Sequence, residues 1–462
     1  MRDREKEIQR LARKAGKRVA TVILMSGDHN HQSSAGSTTF QVSTSVRAAV
    51  AAIPFVHDIG HVVVIISHEA LKLADLDGFS GWHLVIDETP SILDQQGLQT
   101  DLTRDFFEKH YKLNANGKRS EITSVSRTTA ADLRRDTLAS PIAVMHSRVL
   151  SDRTVVLTDI MDWKELSEDG QWTWTSIWSP DQLAVFSSVL ILANAFERSL
   201  TFAILKRVWP EIEWVPHHRL ALRQYRPRKM VIRYFADRHA ASRSLFSSDL
   251  GKDRLAKVAR WISAEVEPAS HIWTCNQADA AVIQKHLSEP TRLSPRQAGS
   301  NSFAAATTVS AIYTAKATPA ERTLFRDLGI DPHVATETRE FETIFQFVCR
   351  CAVRDPENDQ DLTVHVYDRN QAAYLAELFA ATGYVDATTE LIDLGFADAL
   401  PPRGKPGPKI KPKSAAQKAA RDEKARSKAR NRKRRQRARN AMAQDQMKEN
   451  SAQRRLWVKG RR

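Results

Sequence analysis

The hydrophobic and polar positions of this chain switch repeatedly between a helical period and uninterrupted apolar runs. Arg4 to Ala15 places Ile8, Leu11, Ala12 and Ala15 at helical spacing and stops at Gly16. Val19 to Met25 is then apolar throughout, which predicts a strand covered on both faces, as in a parallel sheet. Val42 to Ile53 returns to helical spacing, and His61–Ser67 and Trp82–Ile86 predict two more strands. Ser188–Leu192 predicts another, after a polar stretch that carries Trp163, Trp172, Trp174 and Trp178.

The second half repeats the pattern. Met230–Phe235, His271–Cys275, Thr308–Tyr313 and Leu362–Tyr367 predict strands. Asp253–Val266, Ala278–Leu287, Glu340–Val353 and Gln371–Thr382 predict the helices between them. Strand–helix alternation of this kind implies doubly wound α/β sheets. Pro210 and Pro216 break both patterns, so a border between two folded domains is expected there, giving 1–212 and 213–398.

Charge changes the picture only beyond that point. The 462 residues carry a net +15, yet from Pro401 to Arg462 there are 23 Lys/Arg against 4 Asp/Glu. The body before Pro401 is therefore mildly acidic, and the basic character belongs to a third region, 399–462. The Pro and Gly content of Arg403–Lys413 excludes regular structure there. The Ala/Arg/Lys-rich remainder has no apolar face, so the tail is expected to be largely disordered, or helical against a polyanion. A cluster such as Arg432, Lys433, Arg434 and Arg435 releases counterions from any phosphate backbone. Arg403-Gly-Lys405-Pro is close to an AT-hook core, with Lys405 where Arg is usual. DNA or RNA is the expected partner.

Three cysteines, Cys275, Cys349 and Cys351, without a C-x-x-C pair argue against a disulfide framework and for a reducing compartment. No apolar stretch is long enough to span a bilayer. The expectation is a soluble monomer, cytoplasmic or at the nucleoid, without membrane partners.

Candidate chemistry starts at Asp87-Glu88-Thr89-Pro90, directly after a strand. A carboxylate pair at the carboxyl tip of a buried parallel strand is where open α/β sheets bind ligands. Asp would hold a Mg²⁺ shell and Glu would polarise water, although Asp-Glu after a strand is also an ordinary acidic loop. Four further segments bear on the choice. Ser67-His68-Glu-Ala-Leu71 closes the preceding strand; Leu190-Ile-Leu-Ala-Asn-Ala195 closes a later one. Gly299-Ser-Asn301-Ser-Phe303 precedes the strand Thr308–Tyr313, and Gln346-Phe-Val-Cys-Arg350-Cys-Ala-Val-Arg354 lies on a predicted helix, where Arg350 and Arg354 would share a face.

Together and in this order, these segments resemble the motifs of superfamily 2 (DEAD/DEAH-box-like) helicases, over roughly Val19 to Thr382. The resemblance implies two RecA-like parallel-sheet domains in tandem, the first truncated at its N-terminus, ahead of the basic tail. It implies an ATP-dependent helicase or translocase using ATP and Mg²⁺, with Asp87, Glu88, Gln346, Arg350 and Arg354 catalytic. Gly299 and Asn301 would join Asp87 in binding the nucleotide, with Asp87 holding Mg²⁺ through it. Ser67 and His68 would contact nucleic acid, alongside Arg403, Lys405 and Arg432–Arg435. Replication or repair proteins would be natural partners.

The sequence departs from that family at several points. G-x-x-x-x-G-K-Ser/Thr is absent: Gly16-Lys17 and Gly117-Lys118 are each followed by Arg, with no earlier glycine in place. The pattern is that of a chain beginning just after the loop, with Gly27–Thr39 as a degenerate version in the alternative. Ala193 and Asn194 replace hydroxyl residues, and Cys349 stands where Gly is usual. A catalytically inactive helicase-derived nucleic-acid-binding protein is therefore the rival expectation.

Weaker signals remain. Asp28-His29-Asn-His31 could hold a metal but reads equally as a polar loop. The tryptophans could stack bases, though packing of a hairpin or loop on the first domain suits them better. Arg219, Arg223, Arg226, Arg228, Lys229 and Arg233 form either a solvated surface or a phosphate-tracking face.

Overall fold

The computed structural model describes residues 2–24, 46–57, 60–99, 104–116, 119–135, 139, 142–159, 163, 171–217, 224–287, 291–295, 302–399 and 430. Gly27–Thr39, Gly117-Lys118, Gly299, Asn301, Arg403, Lys405 and Arg432–Arg435 lie outside the described residues. Chain contacts separate two compact units, one made of Met1–Leu93 and Trp178–Pro401, the other centred on Asp94–Ile177. Among the described residues no helix is long and apolar enough to cross a membrane.

The first unit is α/β with parallel strands, the class that the alternation predicts. Its first half holds β1 (Val19–Leu24) beside β2 (His61–Ile66) and β3 (His83–Asp87) beside β9 (Ser188–Leu192), both pairs parallel. These are two separate two-stranded ladders rather than one sheet. Its second half is a five-stranded parallel sheet of β10 (Arg228–Ala236), β11 (His271–Cys275), β12 (Thr308–Ile312), β13 (Leu362–Asp368) and β14 (Val385–Leu391). The spatial order is β11-β12-β13-β10-β14, so β10 is flanked by β13 and β14.

Alternation along β10 decides the layers. Met230, Ile232 and Tyr234 turn to one face, where Ile344, Phe347 and Val348 of helix Glu342–Val348 and Leu375 and Phe379 of helix Arg369–Ala380 cover them. Phe235 turns to the other face with Trp273 and Tyr367, under Leu255, Val258 and Ile262 of helix Asp249–Glu265. Helix Arg369–Ala380 starts where it does because Asp368 and Gln371 form a capping box.

Two helices differ from expectation. The predicted helix Glu340–Val353 ends at Val348 and is preceded by a π-turn, Glu337–Phe341. Ala278–Leu287 shrinks to helix Ala280–Ile283 after a 3₁₀ turn.

The second unit is an antiparallel insertion between β3 and β9. Its sheet follows the order β4-β8-β7-β6-β5, with β4 Leu93–Gln99, β5 Tyr111–Asn116, β6 Arg119–Ser124, β7 Thr154–Thr158 and β8 Gln171–Trp178. Both β5 and β7 run antiparallel to β6. Trp163, Trp172 and Trp174 are buried with Phe107 and Tyr111 as the core of this unit. They are therefore packed core side chains of this unit and do not stand free to stack bases. Trp172 Nε1 donates to Thr158 Oγ1 at 2.7 Å, the partner a buried indole needs.

Candidate functional site

The candidate site is assembled from the carboxyl tips of β3 and β9. Asp87 ends β3 opposite Leu192 of β9, and the Glu88 N–H donates to the Leu192 carbonyl at 2.9 Å. Glu88 has φ 69° and Ala195, just past β9, has φ 48°. Among the described residues these are the two non-glycine residues with positive φ. Each stores a cost of roughly 1 kcal/mol or more, so neighbouring contacts must hold the turn in place.

Those contacts are visible. His68 Nε2 bonds the Asp87 carbonyl at 2.9 Å, and Ser67 Oγ accepts from the Ala70 N–H as the cap of helix His68–Leu73. Lys72 Nζ donates to the Ser91 carbonyl at 3.1 Å. Thr201 Oγ1, in the first turn of helix Leu200–Val208, donates to the Pro90 carbonyl at 2.7 Å. His68 thus braces the Asp-Glu tip, with Ser67 capping the helix that carries it, while the Asp87 and Glu88 side chains themselves are exposed.

The second half reaches the same place from helix Glu342–Val348. The Arg350 guanidinium is held below its usual pKa, chiefly by burial and further by Arg354, while the Glu88 carboxylate opposes the shift. Glu88 and Arg350, distant in sequence, therefore lie within electrostatic reach of each other. Arg354 does not share a helical face with Arg350; it is exposed on a 3₁₀ turn, Ala352–Arg354, because the helix has already ended. Gln346 Nε2 donates to Glu342 Oε1 at 3.2 Å, and Asn194 Nδ2 donates to both oxygens of the same carboxylate at 3.2 Å. Burial raises the Glu342 pKa against the lowering effect of these bonds and of Arg198. Two segments singled out in the sequence, one after β9 and one before Arg350, are thus joined through Glu342.

Sequence reasoning missed Glu342 and Arg198. Arg198 pairs with Glu337 at 3.6 Å and Glu377 at 3.5 Å and lies over the Tyr374 ring. The spacing of Glu342 and Gln346, four apart on a predicted helix, was the available signal. Arg198 offered none beyond its charge.

The basic stretch at 219–233 is largely committed to the protein itself. Arg228 is buried and donates to the Ala352 and Asp355 carbonyls. Arg226 pairs with Glu357 and Asp359, and Arg233 with Glu390. Arg228 is thereby withdrawn from any phosphate-tracking face, whereas Arg226 and Lys229 are exposed; Arg219 and Arg223 lie outside the described residues.

Two adjacent exposed carboxylates are oxygen donors of the kind Mg²⁺ takes through water, and Arg350 is suited to a terminal phosphate. A β-phosphate needs a cradle of amides as well, and the sequence contains no G-x-x-x-x-G-K-Ser/Thr to form one. Among the described residues no group of three or more His, Cys, Asp or Glu could hold a metal by itself.

No protein-family model matches the chain, and no curated protein matches it. Solved structures do. A structure titled XPD helicase aligns at 9% identity with a TM-score of 0.38, covering 72% of this chain and 73% of its own. The structure of Xpd4 from S. tokodaii aligns at 10% identity with a TM-score of 0.39, covering 84% and 89%.

Proposed function

We propose that the chain is a helicase- or translocase-type protein acting on nucleic acid, dependent on ATP where a phosphate loop is supplied. The observation that carries this reading is the strained tip: an Asp-Glu pair at the end of a parallel strand, with Arg350, which follows helix Glu342–Val348, within electrostatic reach of Glu88. Asp87 would hold Mg²⁺ through the nucleotide, Glu88 would orient the attacking water, and Arg350 would meet the γ-phosphate. Bound Mg²⁺ would supply charge neutralisation on the phosphates. Arg354, exposed nearby, adds positive charge without touching the same face. Gln346 positions through Glu342. Gly299 and Asn301 would approach nucleotide and strand from the second half, and Ser67 and His68 the strand from the first. On this reading 1–212 and 213–398 act as the two working halves, in the cytoplasm.

The tail is the tether. Its excess of Lys and Arg supports salt-sensitive, sequence-independent binding, with Arg403, Lys405 and Arg432–Arg435 as phosphate contacts. The decisive test is ATP hydrolysis by the full chain with and without nucleic acid. Stimulated hydrolysis that Glu88→Gln abolishes supports the enzyme; hydrolysis at background in the wild-type chain sinks it. In the second case a non-catalytic binding protein is the reading that stands, favoured already by the lack of a phosphate loop. Deleting 401–462 should then sharply weaken binding at low salt, and unchanged affinity would refute the tether.

A further inference from the structure

The π-turn Glu337–Phe341 sends consecutive side chains to separate parts of the first unit. Glu337 meets Arg198 at 3.6 Å, and Thr338 Oγ1 accepts from the Leu200 N–H at 2.7 Å. Arg339 Nη1 donates to Glu321 Oε1 at 2.6 Å, and Glu321 in turn caps helix Pro319–Leu328. Glu340, fully buried, accepts from Thr314 Oγ1, the Ala315 N–H and Gln371 Nε2, each at 2.8 Å. Thr314 follows β12 and Gln371 opens the helix after β13. One turn therefore ties the carboxyl edge of the five-stranded sheet to the start of helix Leu200–Val208.

That helix is one hydrogen bond from the site, through Thr201 and Pro90. On the other side, the turn sets the azimuth of everything after it. A π-turn carries one residue more than the α-helical repeat, so an uninterrupted helix would present Glu342 and Gln346 rotated by about 100°. Glu342 would then leave Asn194, and the turn after Val348 that carries Arg350 would shift with the helix end.

We propose that the π-turn Glu337–Phe341 is the coupling element of this protein: it holds the strained tip of β3 and β9 in register with Arg350 and transmits displacement between the tip and the second sheet. This rests on reading Asp87, Glu88 and Arg350 as one site. Without the extra residue each half keeps its own core, but the tip loses its second-half contacts. The sequence shows no Pro or Gly from His333 to Val348, so the wide turn is set by its tertiary partners and not by a helix breaker.

The test is deletion of Arg339, which returns the helix to α geometry, with Arg339→Ala as the control that loses only the ion pair. Amide exchange is followed on the full chain without nucleotide. In the deletion variant, exchange at residues 194–208 and at the Glu88 N–H rises about tenfold, while β11, β12 and β13 stay protected. Arg339→Ala leaves both regions near wild type. Wild-type exchange at 194–208, or an equal rise throughout the second sheet, overturns the proposal. If the deletion variant does not fold, Thr338→Val removes only the bond to the Leu200 N–H; a local rise at 198–204 supports the coupling and no rise overturns it. Failure of ATP hydrolysis would remove the catalytic reading and leave this exchange result unaffected.

Discussion

Two sets of parallel strands within one compact unit are covered very differently. Every residue of β11 is buried, and β13 is buried at all but one position. In the paired strands β3 and β9, by contrast, Val85 is 56% exposed and Leu192 49%, on the same face as Asp87. A parallel strand is normally covered on both faces, and the second sheet achieves this with its own helices. The first-half strands have similar apolar sequences but incomplete cover. The second sheet is thus the frame, and the tip bearing Asp87 and Glu88 is a more open element, held by Leu192, His68 and Thr201 and tied to the second half through Asn194 and Leu200. A site that must adjust to ligand is more easily built on the second kind of element than on the first.

The comparison is broken most directly in the core. Phe347→Ala, at a fully buried ring against β10, β12 and β13, should cost about 3–5 kcal/mol in urea unfolding. A loss below about 1 kcal/mol would mean that the second sheet is not the stabilising frame.

Acid should act on the frame next. His271 Nε2 and His365 Nδ1 share the Ser310 hydroxyl, at 2.8 and 2.9 Å, across β11, β12 and β13. Burial pushes His271 down to about 4 and His365 to about 3, the latter with help from His271 and Arg233. Both folded values lie below the unfolded value, so this stability is complete above pH 6.5 and is lost as pH falls, down to about 4 for His271 and about 3 for His365. The cost is about 1.4 kcal/mol per imidazole by pH 5.5. Burial raises the Glu340 and Asp368 carboxyls, which work in the opposite direction as pH falls. Comparing wild type with His365→Gln at pH 7.5 and 5.5 isolates the imidazole; equal pH dependence in the two proteins would refute the assignment.

Asn194→Ala should cost about 1 kcal/mol or less, because it strips the half-buried Glu342 carboxylate of one donor. The loss should appear as faster exchange around residues 193–200 and not in β13. Last and smallest, Val85→Thr should change stability by less than about 0.5 kcal/mol, given its exposure. A larger destabilisation would show that the open face is covered in solution.

Strands of both kinds were legible from hydrophobic runs. His271–Cys275 in the frame and Ser188–Leu192 at the tip match strands residue for residue, because parallel strands are written as continuous apolar segments even where, as in β9, their cover is incomplete. β14 was not legible: Val-Asp-Ala-Thr-Thr-Glu-Leu is polar and mostly exposed, and among the described residues it pairs with β10 alone, at the sheet edge. The antiparallel unit was hidden for a related reason. Its strands alternate over short lengths, and its tryptophans were expected to pack a hairpin or loop on the first domain, whereas Trp163, Trp172 and Trp174 form a core with Phe107 and Tyr111.

For the site, the Asp-Glu tip and Arg350 could be picked from order along the chain, since strand ends and charged residues are local facts. Their mutual placement could not. The sequence by itself determined the alternation of strands and helices, the segregation of positive charge into 401–462, and the candidate carboxylates at the end of β3. Only the tertiary structure decided that Glu88 and Ala195 adopt left-handed conformations and that Arg228 is spent on carbonyls. It also decided that a π-turn joins Asn194 to Gln346 through Glu342. Local periodicity records which face of an element is apolar; the azimuth of one helix against another depends on packing between residues more than a hundred positions apart.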